Sequence, residues 1–171
     1  FYRTLPDGLY DYIQSWDCTF KDAQSSDYVV GQVWARKGSS RYLLDQVRGR
    51  MSFTETIRAV RSLSAKWPQA VRKLIEDKAN GTAVIDVLRR ELPGLIPVEP
   101  EGGKIVRANA VTAVAEAGNV FLPDPSIAPW VHDFVEEHAM FPNGANDDQV
   151  DAQSQANTYY NSSSFSLEGL L

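Results

Sequence analysis

The 171-residue chain is 43% hydrophobic and 23% charged, enough apolar side chain to bury one full core, so a single domain is expected. No apolar run approaches the roughly 20 residues of a membrane span, and the opening FYRTLPDG lacks a charged-then-apolar signal region. One cysteine, Cys18, excludes an internal disulfide, and with only His132 and His138 beside it there is no structural zinc cluster, which fits a reducing compartment.

The net charge of −5 hides an asymmetry. All 17 Lys and Arg lie in residues 1 to 107 with 13 of the 22 acids, whereas residues 108 to 171 carry nine acids and neither Lys nor Arg. This suits a polyanion partner meeting an acidic site or, more simply, separate solvated faces.

After the turn signature Leu5-Pro6-Asp7-Gly8, residues Tyr10 to Phe20 alternate as a strand. Trp16, Cys18 and Phe20 share one face, and Ile13, Ser15, Asp17 and Thr19 the other. Tyr28 to Ala35 and Arg41 to Val47 read as two further strands, making an antiparallel meander with short loops. Ser52-Phe53-Thr54-Glu55 has the form of a capping box, and Phe53, Ile57, Val60 and Leu63 follow at helical spacing.

Lys73 to Glu76 is a short apolar run ending in acid, Thr82 to Leu92 a second amphipathic helix stopped by Pro93-Gly94, and Leu95 to Val98 a fifth strand. This alternation predicts a parallel portion of sheet. An alanine-rich helix over Lys104 to Ala117 and a short strand within Asn119 to Asp124 come next. Pro129 to Met140 reads as a helix with Asp133, Glu136 and Glu137 exposed and the histidines at the surface. Asn146 is placed to cap a last helix beginning Asp147-Asp148, and the tail from Asn157 shows no clear period.

Three stretches place acids where a fold rarely tolerates them. Asp17 sits between Trp16 and Cys18 on a buried strand, Glu76 and Asp77 end an apolar run, and Asp147, Asp148 and Asp151 open a helix. An ionised carboxylate removed from water needs a partner or a metal, so these segments are expected to converge on divalent cations. A helix-start acid is also favoured by the helix dipole, which leaves Glu76 against Asp77, and Asp147 against Asp148, open on residue type alone. Lys104 and Arg107, three apart on one helical face, suit a phosphate or solvent, and Lys78 beside the acids a phosphate or a carboxylate. Trp16, Trp34, Trp67 and Trp130 are expected in the core, Cys18 as a buried small apolar group, and Asp45 bonded to backbone near the sheet.

Three antiparallel strands, then helix, strand, helix, strand, is the order of the ribonuclease H fold. The chain resembles the nuclease domain of the large terminase subunit of tailed bacteriophages over roughly residues 9 to 157. The likeness is carried by Ser15-Trp16-Asp17, Tyr42-Leu43-Leu44-Asp45, Ile75-Glu76-Asp77-Lys78-Ala79-Asn80-Gly81, Lys104-Ile105-Val106-Arg107-Ala108, Glu116-Ala117-Gly118-Asn119-Val120 and Asn146-Asp147-Asp148-Gln149-Val150-Asp151-Ala152.

That resemblance implies an α/β, ribonuclease H-like fold with a mixed central sheet flanked by helices. It implies two-metal phosphodiester hydrolysis with Mg²⁺ or Mn²⁺, with Asp17, Glu76 and Asp148 as catalytic metal ligands and Asp147 and Asp151 as further candidates. A spacing of D-x-x-D favours Asp148 with Asp151 over Asp147. Double-stranded DNA, contacted through Lys78, Lys104 and Arg107, is the implied substrate, concatemeric viral DNA being cut during packaging in the cytoplasm of an infected bacterium.

The chain begins without Met and has no G-x-x-x-x-G-K-[ST] phosphate loop. It is therefore expected to be one nuclease domain over 1 to 171, with its core at about 9 to 157 and a tail at 158 to 171, detached from the ATPase motor. That motor, the portal and the small terminase subunit are the expected partners. A junction resolvase or transposase-like nuclease of the same fold, or a non-catalytic docking module, are the competing readings.

Overall fold

The computed structural model describes residues 1–18, 27–100 and 102–168, with side chains up to residue 163. Strands β1 (Tyr10–Asp17), β2 (Val29–Lys37) and β3 (Ser40–Gly49) form the antiparallel meander, followed by α1 (Phe53–Lys66), β4 (Arg72–Glu76), α2 (Asn80–Leu88) and β5 (Leu95–Val98). Then come α3 (Lys104–Glu116), β6 (Val120–Phe121), α4 (Val131–Met140) and α5 (Asp148–Glu168). The sheet order is β5-β4-β1-β2-β3-β6, with β4 parallel to β1, β5 parallel to β4 and β6 parallel to β3. The mixed sheet expected from sequence is thus present; Thr19 and Phe20, read as the end of the first strand, lie outside the described residues.

Alternation on β1 splits the core into two halves. Trp16 and Cys18 join Val33, Ile57, Val60, Val84 and Leu88 on the α1/α2 side, and Ile13 joins Trp34, Leu43, Leu74, Phe134 and Tyr160 on the α4/α5 side. Trp16 can lie flat across its register partner because that residue is Gly31, where an added Cβ would meet the indole at 2.5 Å. The α1 capping box forms as read, Ser52 Oγ accepting from Glu55 N at 3.2 Å and Glu55 Oε2 accepting from Ser52 N at 2.7 Å. Asp45 accepts from the Gln46 backbone N–H at 2.9 Å, as expected, and also from Trp67 Nε1 at 2.8 Å, opposite Lys66.

Around α5 the structure departs from the sequence reading. The segment from Asn157, where the sequence shows no clear period, is helical: α5 continues to Glu168, with Asn157 buried and Tyr160 only 1% exposed. Asp147 precedes the helix and accepts its first backbone bond, from Asp151 N. Asn146 does not cap it; its amide oxygen is buried without a hydrogen-bond partner. Glu137 of α4, expected at the surface, is buried and supplies the cap, Oε1 accepting from Gln149 N at 2.7 Å and from Val150 N at 3.4 Å. A carboxylate held at two unsatisfied N–H groups of a helix start combines hydrogen bonding with the favourable end of the dipole.

Gln149 completes this junction. It is fully buried, donates to Glu137 Oε2 at 2.5 Å and accepts from Gln46 Nε2 at 2.8 Å, while Gln32 Nε2 reaches its carbonyl at 3.1 Å. His138 also departs from the surface reading. Its ring stacks on Phe134 at 4.1 Å, and burial lowers its pKa.

Candidate metal centre

In the parallel β1–β4 register Trp16 pairs with Ile75, so the next residues, Asp17 and Glu76, stand side by side at the carboxyl ends of neighbouring strands, about 4.8 Å apart across the ladder. Both continue the alternation that places Ile13 and Leu74 on the α5 side. β1 is also where the chain order reverses, β2 on one side and β4 on the other, the position at which open α/β sheets bind ligands.

Gly81, at the start of α2, packs on the Glu76 backbone, an added Cβ coming within 1.9 Å of the Glu76 carbonyl oxygen. The Asn80-Gly81 pair therefore reflects close approach. Asp77 turns away to accept from Thr82 Oγ1 at 2.8 Å, leaving Glu76 as the cleft acid of that pair.

Helix α5 is fastened over the seam by residues that the sequence reading missed. Gln155 Nε2 reaches Ser15 Oγ at 3.0 Å, the Trp16 carbonyl at 3.3 Å and the Leu74 carbonyl at 3.2 Å, and Ser15 Oγ donates to the Ala152 carbonyl at 2.7 Å. Asp151, one turn before Gln155, consequently faces the same cleft, a cavity of about 270 Å³. Among the described residues lining it, the acids are Asp17, Glu76, Glu99 and Asp151, and the cation is Arg107. The signal for Gln155 was its i+4 spacing from Asp151; no local pattern marks Glu99.

Asp148, one turn earlier, is 5% exposed and accepts from Tyr28 N at 3.3 Å; it does not line this cavity among the described residues. Asp147 is ion-paired with Lys104 of α3. Lys104 also lies 3.8 Å from Asp151 Oδ2, and Arg107 3.7 Å from Asp151 Oδ1. The two cations expected to face phosphate or solvent thus lean across to α5, while Lys78 is exposed.

Burial raises the acids at the start of α5 above their ordinary carboxylate range. Burial pushes Asp148 up to about 6, the Tyr28 N–H opposing and the Glu137 and Asp27 carboxylates adding to the rise. Asp151 is also raised, by burial, with Lys104 and Arg107 pulling the other way. The buried Cys18 thiol rises well above its usual range, through burial first and then through Asp17 and Glu76, so both carboxylates act on one point behind the cleft.

The donors fit a hard divalent cation in kind: they are oxygens only, on adjacent strand ends and a facing helix, in surroundings that disfavour bare carboxylates. Among the described residues no three such groups are gathered closely enough to hold one ion with the side chains as they stand, and the Asp151 carboxylate is engaged by Lys104 and Arg107.

Strand order, the helices on both faces and acids at the switch point define a ribonuclease H-like domain. The Terminase RNaseH-like domain family matches residues 14–159, and the chain belongs to it. No curated protein matches the chain by sequence.

Solved structures of similar fold include a large terminase from a thermophilic bacteriophage, with a TM-score of 0.71 at 11% identity, covering 92% of this chain and 42% of that one. The large terminase nuclease domain of bacteriophage SPP1, with bound Mn, has a TM-score of 0.60 at 17% identity over 85% of this chain and 84% of that one. The large terminase nuclease of thermophilic phage G20c, with bound magnesium, gives 0.63 at 16% over 91% and 84%. The chain therefore spans less than half of the first of these proteins.

Proposed function

We propose that this domain is a divalent-metal-dependent endodeoxyribonuclease that cuts concatemeric viral DNA during genome packaging. The observation that carries the reading is the meeting of Asp17, Glu76 and Asp151 in one cleft at the carboxyl ends of two adjacent parallel strands. Asp17, Glu76 and Asp151 would hold Mg²⁺ or Mn²⁺ from the cleft, with Asp148 as a ligand from the Tyr28 side; Asp147 orients Lys104. Two such ions, when bound, supply an activated water and stabilise the leaving 3′ oxygen. Gln155 and Ser15 fix Asp151 relative to Asp17, and Gly81 lets α2 brace the Glu76 backbone.

Arg107, Lys104 and Lys78 contact the phosphates of double-stranded DNA, which gives salt-dependent binding without sequence preference. Among the described residues no helix is long and apolar enough to cross a membrane. The implied setting is the cytoplasm of an infected bacterium, with an ATPase domain, the portal and the small terminase subunit as partners. Metal-bound and nucleotide-bound terminases among the similar folds support this reading.

The test is nicking of supercoiled plasmid with Mg²⁺ or Mn²⁺, which should stop in excess chelator and in Asp17→Asn, Glu76→Gln and Asp151→Asn. Undiminished cleavage in chelator would remove the metal reading.

A further inference from the structure

We infer that the cleft is a nucleotide pocket, taking one base of a locally unpaired DNA strand against the Tyr159 ring while the adjoining phosphate lies at the Asp17, Glu76 and Asp151 end beside Arg107. The inference rests on the nuclease reading of the acids and extends it to the form of the substrate.

Asp151, Gln155 and Tyr159 recur every fourth residue of α5 and all line the cavity. From Asp151 to Tyr159 the helix rises about 12 Å, a span suited to one nucleotide with its flanking phosphates. The charged end of the cleft is thus continuous with an aromatic end.

The opposite wall has the wrong chemistry for a sugar-phosphate backbone. Leu74 of β4 and the half-buried Ile96 and Val98 of β5 line it, followed by the exposed Glu99 and by Pro100, because α5 lies over β1 and β2 and leaves the cavity open beside β5. An apolar wall facing an aromatic ring suits a flat π system, and base stacking on aromatic side chains is tolerant of sequence. Duplex DNA keeps its bases inside the stack, so a base enters this recessed cleft of about 270 Å³ only after local unpairing.

The aromatic end is pre-set. Tyr159 packs edge-on against Tyr160, with centroids 5.7 Å apart and planes at 61°. Tyr160 is itself buried and donates through its hydroxyl to the Asp11 carbonyl at 2.8 Å. A ring braced in this way loses little freedom when a base stacks on it.

The experiment uses the full chain with Ca²⁺ and two fluorescein-labelled oligomers, one wholly abasic and one carrying a single central 2-aminopurine among abasic residues. Anisotropy should show the base-bearing oligomer binding about tenfold tighter, with its 2-aminopurine emission quenched. Tyr159→Phe should keep both effects. Tyr159→Ala should abolish both, and so should Val98→Phe, which fills the pocket while leaving Tyr159 in place.

Equal affinity for the two oligomers, or a base-dependent gain that survives Tyr159→Ala, would overturn the pocket. Plasmid cleavage by the same preparation separates the two readings. A protein that cuts without the base-dependent gain refutes the pocket alone, and one that stacks the base but never cuts with Mg²⁺ or Mn²⁺ refutes the nuclease reading alone.

Discussion

Asp148→Asn tests whether the crowded acids cost the metal-free fold stability. In the folded protein the Asp148 carboxyl rises from 3.8 to about 6, through burial and the nearby Glu137 and Asp27, against the opposing Tyr28 N–H. A raised acid is held protonated more strongly by the folded state than by the unfolded one, so stability declines as pH climbs from about 4 through about 6 and is flat beyond. At about 1.4 kcal/mol per unit, the full penalty at neutral pH is at most ~3 kcal/mol. Replacement by neutral Asn removes it, and the Asn oxygen can still accept from Tyr28 N. With roughly 2–4 °C per kcal/mol for a protein of this size, Tm in chelator at pH 7.5 should rise by several degrees, with about 12 °C as the ceiling. The gain over wild type should shrink strongly at pH 4.5. Scanning fluorimetry of both proteins at both pH values measures it. A Tm that falls at pH 7.5, or a gain unchanged at pH 4.5, would refute the reasoning.

Gly81→Ala forces a Cβ to within 1.9 Å of the Glu76 carbonyl oxygen, so a loss of at least ~1–3 kcal/mol is expected from overpacking, read in urea melts, with cleavage falling because Glu76 shifts. Glu137→Ala strips the α5 cap and the partner of Arg48 and Gln149. Losing a buried, hydrogen-bonded carboxylate should cost about 2–4 kcal/mol, visible as a lower urea midpoint, whereas Glu136→Ala on the exposed side should be near neutral. Lys104→Ala with Arg107→Ala should weaken DNA binding and make the slope of log affinity against log salt shallower by about 1.8, two phosphate contacts' worth. An unchanged slope in anisotropy titrations would remove α3 from the DNA surface.

What the sequence determined by itself was whatever short-range geometry dictates. Period-two alternation on β1 assigned Asp17 to the face opposite Trp16 and Cys18, and the capping box fixed the start of α1. The order of strands and helices gave the mixed sheet, because crossover rules leave few topologies for that order.

Tertiary structure decided the rest, chiefly at α5. Its buried face sets amides among apolar groups: Gln149, Gln153 and Asn157 are each at most 2% exposed beside Val150, Ala156 and Tyr160, and Gln149 and Asn157 find partners on β3 and α4 that lie far away in the chain. The helix start was legible from Asn146 to Asp148, but a hydrophobic period could not reveal that the helix runs on past Asn157. Glu137 looked solvated for the same reason, since only the arrival of α5 supplies the N–H groups that make its burial tolerable. Which helix-start acid enters the cleft likewise depended on distant atoms, Gln155 tying α5 to Ser15 and Leu74 so that Asp151 faces Asp17 and Glu76 while Asp148 turns to Tyr28. Charge on α3 was legible, but its direction was not: Lys104 and Arg107 lean toward α5, where they pair with Asp147 and Asp151.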